Sequence, residues 1–432
     1  MNRLPLHPNL DRDRFVPEKT SGPNFNSFFA AGFECSTHRL RSGTRLDMIA
    51  ATQHDKFAHL DYQRLQQAGL RVAREGVRWH LVEAVPGRYD FSSVLPIVRA
   101  ARAADVQVIW DLCHFGWPDH LDLFQPEFRS SLAHYGAAFA EWLARELQGP
   151  SFFVPVNEIS FFSWAAGDEG SMYPFVKGRG LELKAQLVRA AIQTMEAVWS
   201  VAPTARFMHV DPVIHVVAHP RHPEQAGEAE AYRRSQFQAW DMLSGRLWPE
   251  LGGNDKYLDL IGVNFYPYNQ WFYDLEGVRR VRKFRPLTRR HLLYRPFRDL
   301  LKEVSQRYAS PLFIAETGAE NRARASWFRY INQEAEAASL DGARIEGLCL
   351  YPILNHPGWL DSRHCHNGLW DYPSRYGQRN VYAPLATELR RWQHRRQRDG
   401  IDEQDQERGP RSNAFRLPSP SHPRHQRKRH EL

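Results

Sequence analysis

Glu158 follows Asn157 at the end of the apolar run Phe152–Val156, and Glu316 closes another such run in Ala315-Glu316-Thr317-Gly318. Between the two lies Tyr266, in Asn264-Phe265-Tyr266, and before them Arg74 and His114; Tyr351 and Trp359 come after. Two carboxyl groups facing each other across an anomeric carbon are what glycosidic-bond cleavage needs, one as acid and one as nucleophile or base. Aromatic faces cover the apolar face of a sugar, and fixed amide, phenol and guanidinium groups read its hydroxyls. Taken singly, each glutamate reads more readily as a rim ion-pair partner, and His114 reads equally well as structural or sugar-binding. Their occurrence together at the ends of apolar runs, with a tyrosine between them, is what points to catalysis.

These residues must be held by a repeating scaffold. Apolar runs suited to strands occur at Phe28–Cys35, Val72–Leu81, Val106–His114, Phe152–Glu158, Ala205–Asp211, Leu258–Tyr266, Pro311–Thr317 and Gly347–Ile353. Amphipathic stretches separate most of them, at Phe57–Ala68, Val94–Ala104, Leu132–Leu147, Leu181–Val201, Tyr232–Leu243, Phe297–Tyr308 and Trp327–Leu340. Eight continuously apolar strands alternating with helices predict an α/β fold of the (β/α)8 TIM-barrel type. A doubly wound sheet would announce itself by a glycine-rich first turn, and neither GxGxxG nor GxxxxGK[ST] occurs. In a barrel, chemistry sits at the C-terminal strand ends, where Arg74, His114, Asn157, Glu158, Tyr266, Glu316 and Tyr351 all fall.

The chain has 432 residues, with 42% hydrophobic and 12% aromatic, enough for a large core. It has a formal charge of +8, but residues 408–432 alone carry seven Arg/Lys against Glu431, so residues 1–407 carry +2. The basicity is a tail, which argues against nucleic acid as a partner. No apolar stretch is long enough for a membrane span, and the first residues lack a secretory signal core. Four unpaired cysteines (Cys35, Cys113, Cys349, Cys365) fit a reduced, cytoplasmic setting. His364-Cys365-His366 imitates a metal site, but it is one such cluster without partners elsewhere, so neither a metal nor another cofactor is expected.

With these residues in place, the chain resembles glycoside hydrolase family 1, the β-glucosidase family, over about residues 27–385. The family's Asn-Glu-Pro motif looks like Asn157-Glu158-Ile159, and its Thr-Glu-Asn-Gly motif like Ala315-Glu316-Thr317-Gly318. Asn264-Phe265-Tyr266, His114-Phe115-Gly116-Trp117-Pro118, Arg74 with Trp79, and Tyr351 with Trp359 match further patterns in order. The resemblance implies Glu158 as general acid/base and Glu316 as nucleophile, with Tyr266 and Arg74 bonded to the nucleophile. It implies that Asn157 holds a sugar 2-hydroxyl and that His114 holds another hydroxyl. There are departures. Gly358 stands where the family has a sugar-gripping Glu, and the strand-one Gln falls near His38-Arg39. The cleaving half of the pocket is kept and the reading half altered.

The chain is therefore expected to have an arm at 1–26, a glycosidase barrel at 27–397 and a basic, disordered tail at 398–432. The expected activity is hydrolysis of a small O-glycoside by a retaining β-glycosidase through a covalent glycosyl-enzyme intermediate. A carboxyl separation of about 5–5.5 Å would go with retention. A transglycosidase uses the same two glutamates; a non-catalytic carbohydrate-binding barrel or a polyanion-binding protein would not need them. Seven basic residues between Arg279 and Arg290 raise the expectation of an anionic substrate if their loop covers the pocket. Oligomeric state is not legible.

Overall fold

The computed structural model describes residues 24–273, 286–361 and 363–398. Eight parallel strands close into a barrel: β1 (Phe29–Gly32), β2 (Val72–Gly76), β3 (Gln107–Asp111), β4 (Phe152–Val154), β5 (Arg206–Pro212), β6 (Leu260–Asn264), β7 (Leu312–Thr317) and β8 (Ile345–Leu350). Each pairs with its sequence neighbours, and β8 returns to β1 through Ala30↔Cys349. Helices cover the outside: α1 (His54–Gln67), α2 (Leu95–Ala104), α3 (Pro126–Glu146), α4 (Gly180–Val201), α5 (Ala226–Arg234), α6 (Gln238–Leu243), α7 (Phe297–Tyr308), α8 (Ala323–Leu340) and α9 (Ala383–Arg398). This is the predicted (β/α)8 barrel.

The strands are continuously apolar because both faces are covered. One face packs on the helices, as with Ala73, Phe153, Phe207 and Ile314. The other fills the barrel interior with Ala30, Val72, Ile109, Val154, Met208, Leu260 and Phe313. Phe25, read from sequence as part of a loose lead-in, closes the floor: its ring lies 4.8 Å from those of both Phe152 and Phe313. Asn24 anchors the same segment by accepting from Arg206 Nη1 at 2.9 Å.

Several predicted strands run past the observed ladders. The second ends at Gly76 rather than Leu81, because the chain there enters a short helix, Trp79–Val82. Trp79 is fully buried and stacks on Tyr135 of α3 at 5.1 Å, so it supports the wall rather than the mouth. An additional parallel pair, His215–Ala218 with Gln270–Tyr273, sits in the segments after β5 and β6 and was not foreseen. Of the basic loop, residues 274–285, and of the tail, residues 399–432, lie outside the described residues. No helix among the described residues is long and apolar enough to cross a membrane.

Candidate active site

Arg74 is the centre of the arrangement. As the third residue of β2 its side chain enters the barrel interior, where it is fully buried. Its Nε and Nη2 grip Asp111 at 3.0 and 2.7 Å, its Nη1 reaches Glu316 Oε1 at 2.7 Å, and Nη2 also donates to Asn157 Oδ1 at 2.7 Å. A buried cation facing two carboxylates stays charged, and each carboxylate receives charge-assisted bonds. Although burial alone would push Asp111 up, Arg74 and His114 hold its carboxyl below the usual range. Asp111 was not singled out from sequence. Its signal was a lone acid near the end of the otherwise apolar run Val108–Leu112.

Asp111 also orders the next loop. His114 Nδ1 lies 2.6 Å from Asp111 Oδ2, and Asn157 Nδ2 donates to His114 Nε2 at 3.2 Å. Both ring nitrogens are thus engaged within the protein, and the pattern puts the ring proton on Nδ1. Asn157 in turn spends its carbonyl on Arg74 and, among the described residues, keeps one amide hydrogen free to donate.

Glu158 and Glu316 arrive from opposite parts of the barrel. Glu316 is the fifth residue of β7 and is 6% exposed; Tyr266 Oη donates to its Oε2 at 2.9 Å while Arg74 holds Oε1. Glu158 follows β4 in a left-handed turn (φ 48°, ψ 60°), unusual for a residue with a Cβ. Its N–H bonds to Val210 O at 2.9 Å and its C=O accepts from Phe162 N–H at 2.7 Å, which pins that turn and starts the helix Ile159–Ser163. Asp211 secures the same helix by accepting from Ser160 N–H at 2.9 Å and Ser160 Oγ at 3.0 Å.

The two glutamates have different surroundings. Burial and then the neighbouring Glu316 charge push the Glu158 carboxyl well above the usual range; Asn264 Nδ2, donating to Oε1 at 2.8 Å, opposes this. Glu316 has a guanidinium as direct counter-charge; Glu158 has none within ion-pair reach among the described residues. Burial also raises Asp211, to about 7, and any charge on it adds to the pressure on Glu158. Asn264 and Glu316 are register partners on β6 and β7, so one strand pair positions both carboxyl groups.

Tyr351 and Trp359 take different places. Tyr351 is 2% exposed and lies beneath the site, with the Arg74 guanidinium 5.4 Å from its ring centre and its Oη 3.8 Å from Cys35 Sγ. Gly32 makes room for it: a Cβ there would stand 2.0 Å from Tyr351 Cδ2. Trp359 is half-buried in the loop beyond β8, edge-on to His38 at 5.0 Å and to Phe115 at 5.9 Å. Of the pair expected from strand one, Arg39 turns outward to Asp119, while His38 is buried and its burial lowers it to about 4. Sequence reasoning missed Glu34, two residues past β1 and 7% exposed. Its Oε1 accepts from Ser36 N–H at 3.0 Å and from Ser36 Oγ; Oε2 has no protein partner among the described residues. Burial would raise Glu34, but His114, His356 and Ser36 outweigh it, so the carboxyl is lowered.

Cys35, Asp111 and His114 lie within metal-ligand reach of one another, yet Asp111 is saturated by Arg74 and His114, and burial holds the Cys35 thiol well up. This cluster does not fit a metal. The described part of the basic loop is turned to the outside: the Arg289 guanidinium lies 4.6 Å over the Tyr330 ring of α8, and Arg290 is exposed.

No protein-family model matches this chain, and no curated protein matches it in sequence. Solved structures do match in fold. The β-glucosidase of Thermotoga maritima in complex with glucoimidazole superposes with a TM-score of 0.69 at 13% identity, covering 84% of this chain and 97% of that one. A structure described as the family 1 β-glucosidase of the same organism gives 0.69 at 13% identity, covering 87% and 98%. The complex with deoxynojirimycin gives 0.67 at 14% identity, covering 84% and 97%. At this identity the likeness is one of fold: the chain has the (β/α)8 barrel of β-glucosidases.

Proposed function

We propose that the chain is a retaining β-glycosidase acting on a small O-glycoside. The observation that carries this reading is the unequal pair of carboxyl groups at one barrel mouth. Glu316 is ion-paired to Arg74 and bonded by Tyr266, while Glu158 is pushed upward by burial and by Glu316. That division is what the two roles demand, a carboxylate to attack carbon and a carboxylic acid to protonate the leaving oxygen.

In this reading Glu316 attacks the anomeric carbon as Glu158 gives its proton to the glycosidic oxygen. The bond to the aglycone breaks and a glycosyl ester forms on Glu316. Once that ester has formed, the Glu316 charge is gone and Glu158 loses one cause of its raised pKa. It then takes a proton from the incoming water, which releases the sugar with its original configuration. Arg74 and Tyr266 receive the Glu316 carboxylate when it leaves. Asn157 offers its free amide hydrogen to a sugar hydroxyl, Trp359 supplies an apolar face, and Tyr351 and His114 hold Arg74 and Asn157 in place.

Glu34 favours a neutral glycone over an anionic one. A lowered carboxyl beside the site repels an acidic sugar, whereas its free oxygen can accept from sugar hydroxyls. A panel of neutral and acidic nitrophenyl β-glycosides, with the first-formed anomer followed by NMR, tests the proposal. Release of β-sugar from neutral substrates is expected. An α-anomer as first product, or no turnover on any member of the panel, contradicts it. Glycosides of an added alcohol among the products would show transfer by the same pair of glutamates.

A further inference from the structure

His364-Cys365-His366 reads from sequence as an imitation of a metal site, but the fold brings Asp371, five residues further along the chain, against it. His364–Cys365 pairs antiparallel with His356–Pro357, in the segment beyond β8. Side chains alternate along such an extended run. Cys365 accordingly turns inward at 3% exposed, its thiol donating to Arg363 O at 3.7 Å, while His364 and His366 both face outward. Their rings are stacked, 4.2 Å apart and 18° from parallel. Asp371, from the separate strand Trp370–Pro373, meets them, with its Oδ1 2.9 Å from His364 Nε2.

We propose that His364, His366 and Asp371 form a binding site for a divalent transition-metal ion of the zinc class. One ligand atom from each lies within 4.8 Å of the other two. Tetrahedral zinc with nitrogen and oxygen ligands at about 2.0–2.1 Å needs its donors roughly 3.3 Å apart. Side-chain rotations of about an ångström therefore close the set. Two imidazoles and one carboxylate suit zinc and its borderline neighbours rather than calcium or magnesium, which prefer all-oxygen shells. The exposed face leaves the remaining coordination position to water.

The outer partners a metal carboxylate needs are present. Asp371 Oδ1 accepts from Asn355 Nδ2 at 2.9 Å and from Tyr372 N–H at 2.8 Å, which fixes the carboxylate against His364. Arg363, next to His364 in the chain, is occupied by Glu320 through bonds of 2.8 and 2.7 Å. Two imidazoles stacked face to face in water gain little from each other, and tilting them out of the stack lets a ring nitrogen of each converge with Asp371 on one ion. The site sits beside the paired segments His356–Pro357 and His364–Cys365 and shares no residue with the pair Glu158 and Glu316.

The test is isothermal titration of the full-length, chelator-treated protein with zinc chloride, in wild type and in His364→Gln, His366→Gln and Asp371→Asn. One saturable equivalent is expected in the wild type, weakened about 10–100-fold or more in each variant. Imidazole nitrogen NMR of the wild type provides a readout that does not depend on how the variants fold: zinc should shift ring nitrogens of two stacked histidines together. Absence of saturable binding in the wild type overturns the proposal. So does a wild-type isotherm retained in all three variants, or a zinc-induced shift confined to other histidines.

Discussion

Arg74 Nη1 and Glu316 Oε1 stand 2.7 Å apart, with side-chain exposures of 0% and 7%. Such a pair is poor evidence of stability by itself, since desolvating two charges costs about as much as their attraction returns. Here the guanidinium also serves Asp111 and Asn157, so one buried cation organises one catalytic candidate and two groups that support it. Removing it leaves Glu316 and Asp111 buried without the guanidinium they share. Arg74→Ala should lower unfolding stability by about 3–5 kcal/mol, read by urea denaturation, and should abolish turnover. Unchanged stability would mean that solvent reaches Asp111.

The Glu158 carboxyl is raised by burial first and by Glu316 second, and lowered by Asn264. An acid catalyst works while protonated, so the alkaline limb of kcat/KM follows this group. Asn264→Ala removes a donor that favours the carboxylate, and the limb should move to higher pH. Glu316→Gln removes the like charge, and Glu158 should then titrate lower, which carbon NMR of labelled glutamate can read without turnover. Shifts in the opposite directions would contradict the assignment.

Glu158→Ala should slow glycosides with poor leaving groups far more than activated aryl glycosides, because only the former need a proton in the first step. Steady-state kinetics on a leaving-group series measures this. Equal losses along the series would remove Glu158 from the acid role.

His54 provides a test of the scaffold. It is fully buried, with Nδ1 2.8 Å from Asp61 and Nε2 2.9 Å from Glu75. Burial would lower it, but the two carboxylates outweigh that and raise it to about 9. A group raised in the folded state stabilises fully below its unfolded value, about 6.5, and the gain is lost as pH rises through about 9. The linkage amounts to about 3 kcal/mol. Wild-type stability should fall between those two pH values, and His54→Gln should flatten that fall. An identical slope in both proteins would mean that His54 is not the group responsible.

Gly32→Ala places a Cβ 2.0 Å from the Tyr351 ring, which cannot retreat without disturbing Arg74. Overpacking of this kind costs about 1–3 kcal/mol, and thermal unfolding should show it together with reduced kcat. A variant as stable and active as wild type would show that Tyr351 has room to move.

The barrel was legible because eight buried strands repeat one apolar pattern, and the residues at their ends followed from the architecture. Strand ends were overrun where apolar residues continue into short helices, as Trp79 does, since burial looks alike in both. Asp111 and Glu34 were missed for a common reason. Each is a single acid inside an apolar run, and only the closed barrel shows that its carboxyl group turns toward Arg74 or His114. Asp371 could not be linked to His364 from sequence, because their contact depends on two separate strand pairs.

The proposed mechanism stands on covalent glycosylation of Glu316. Incubation with an activated 2-deoxy-2-fluoro β-glycoside, whose intermediate hydrolyses slowly, followed by peptide mass spectrometry, tests it most directly. One glycosyl adduct per chain is expected, located on Glu316 and absent from Glu316→Gln. An adduct on another residue, or steady turnover with no adduct at all, would contradict it.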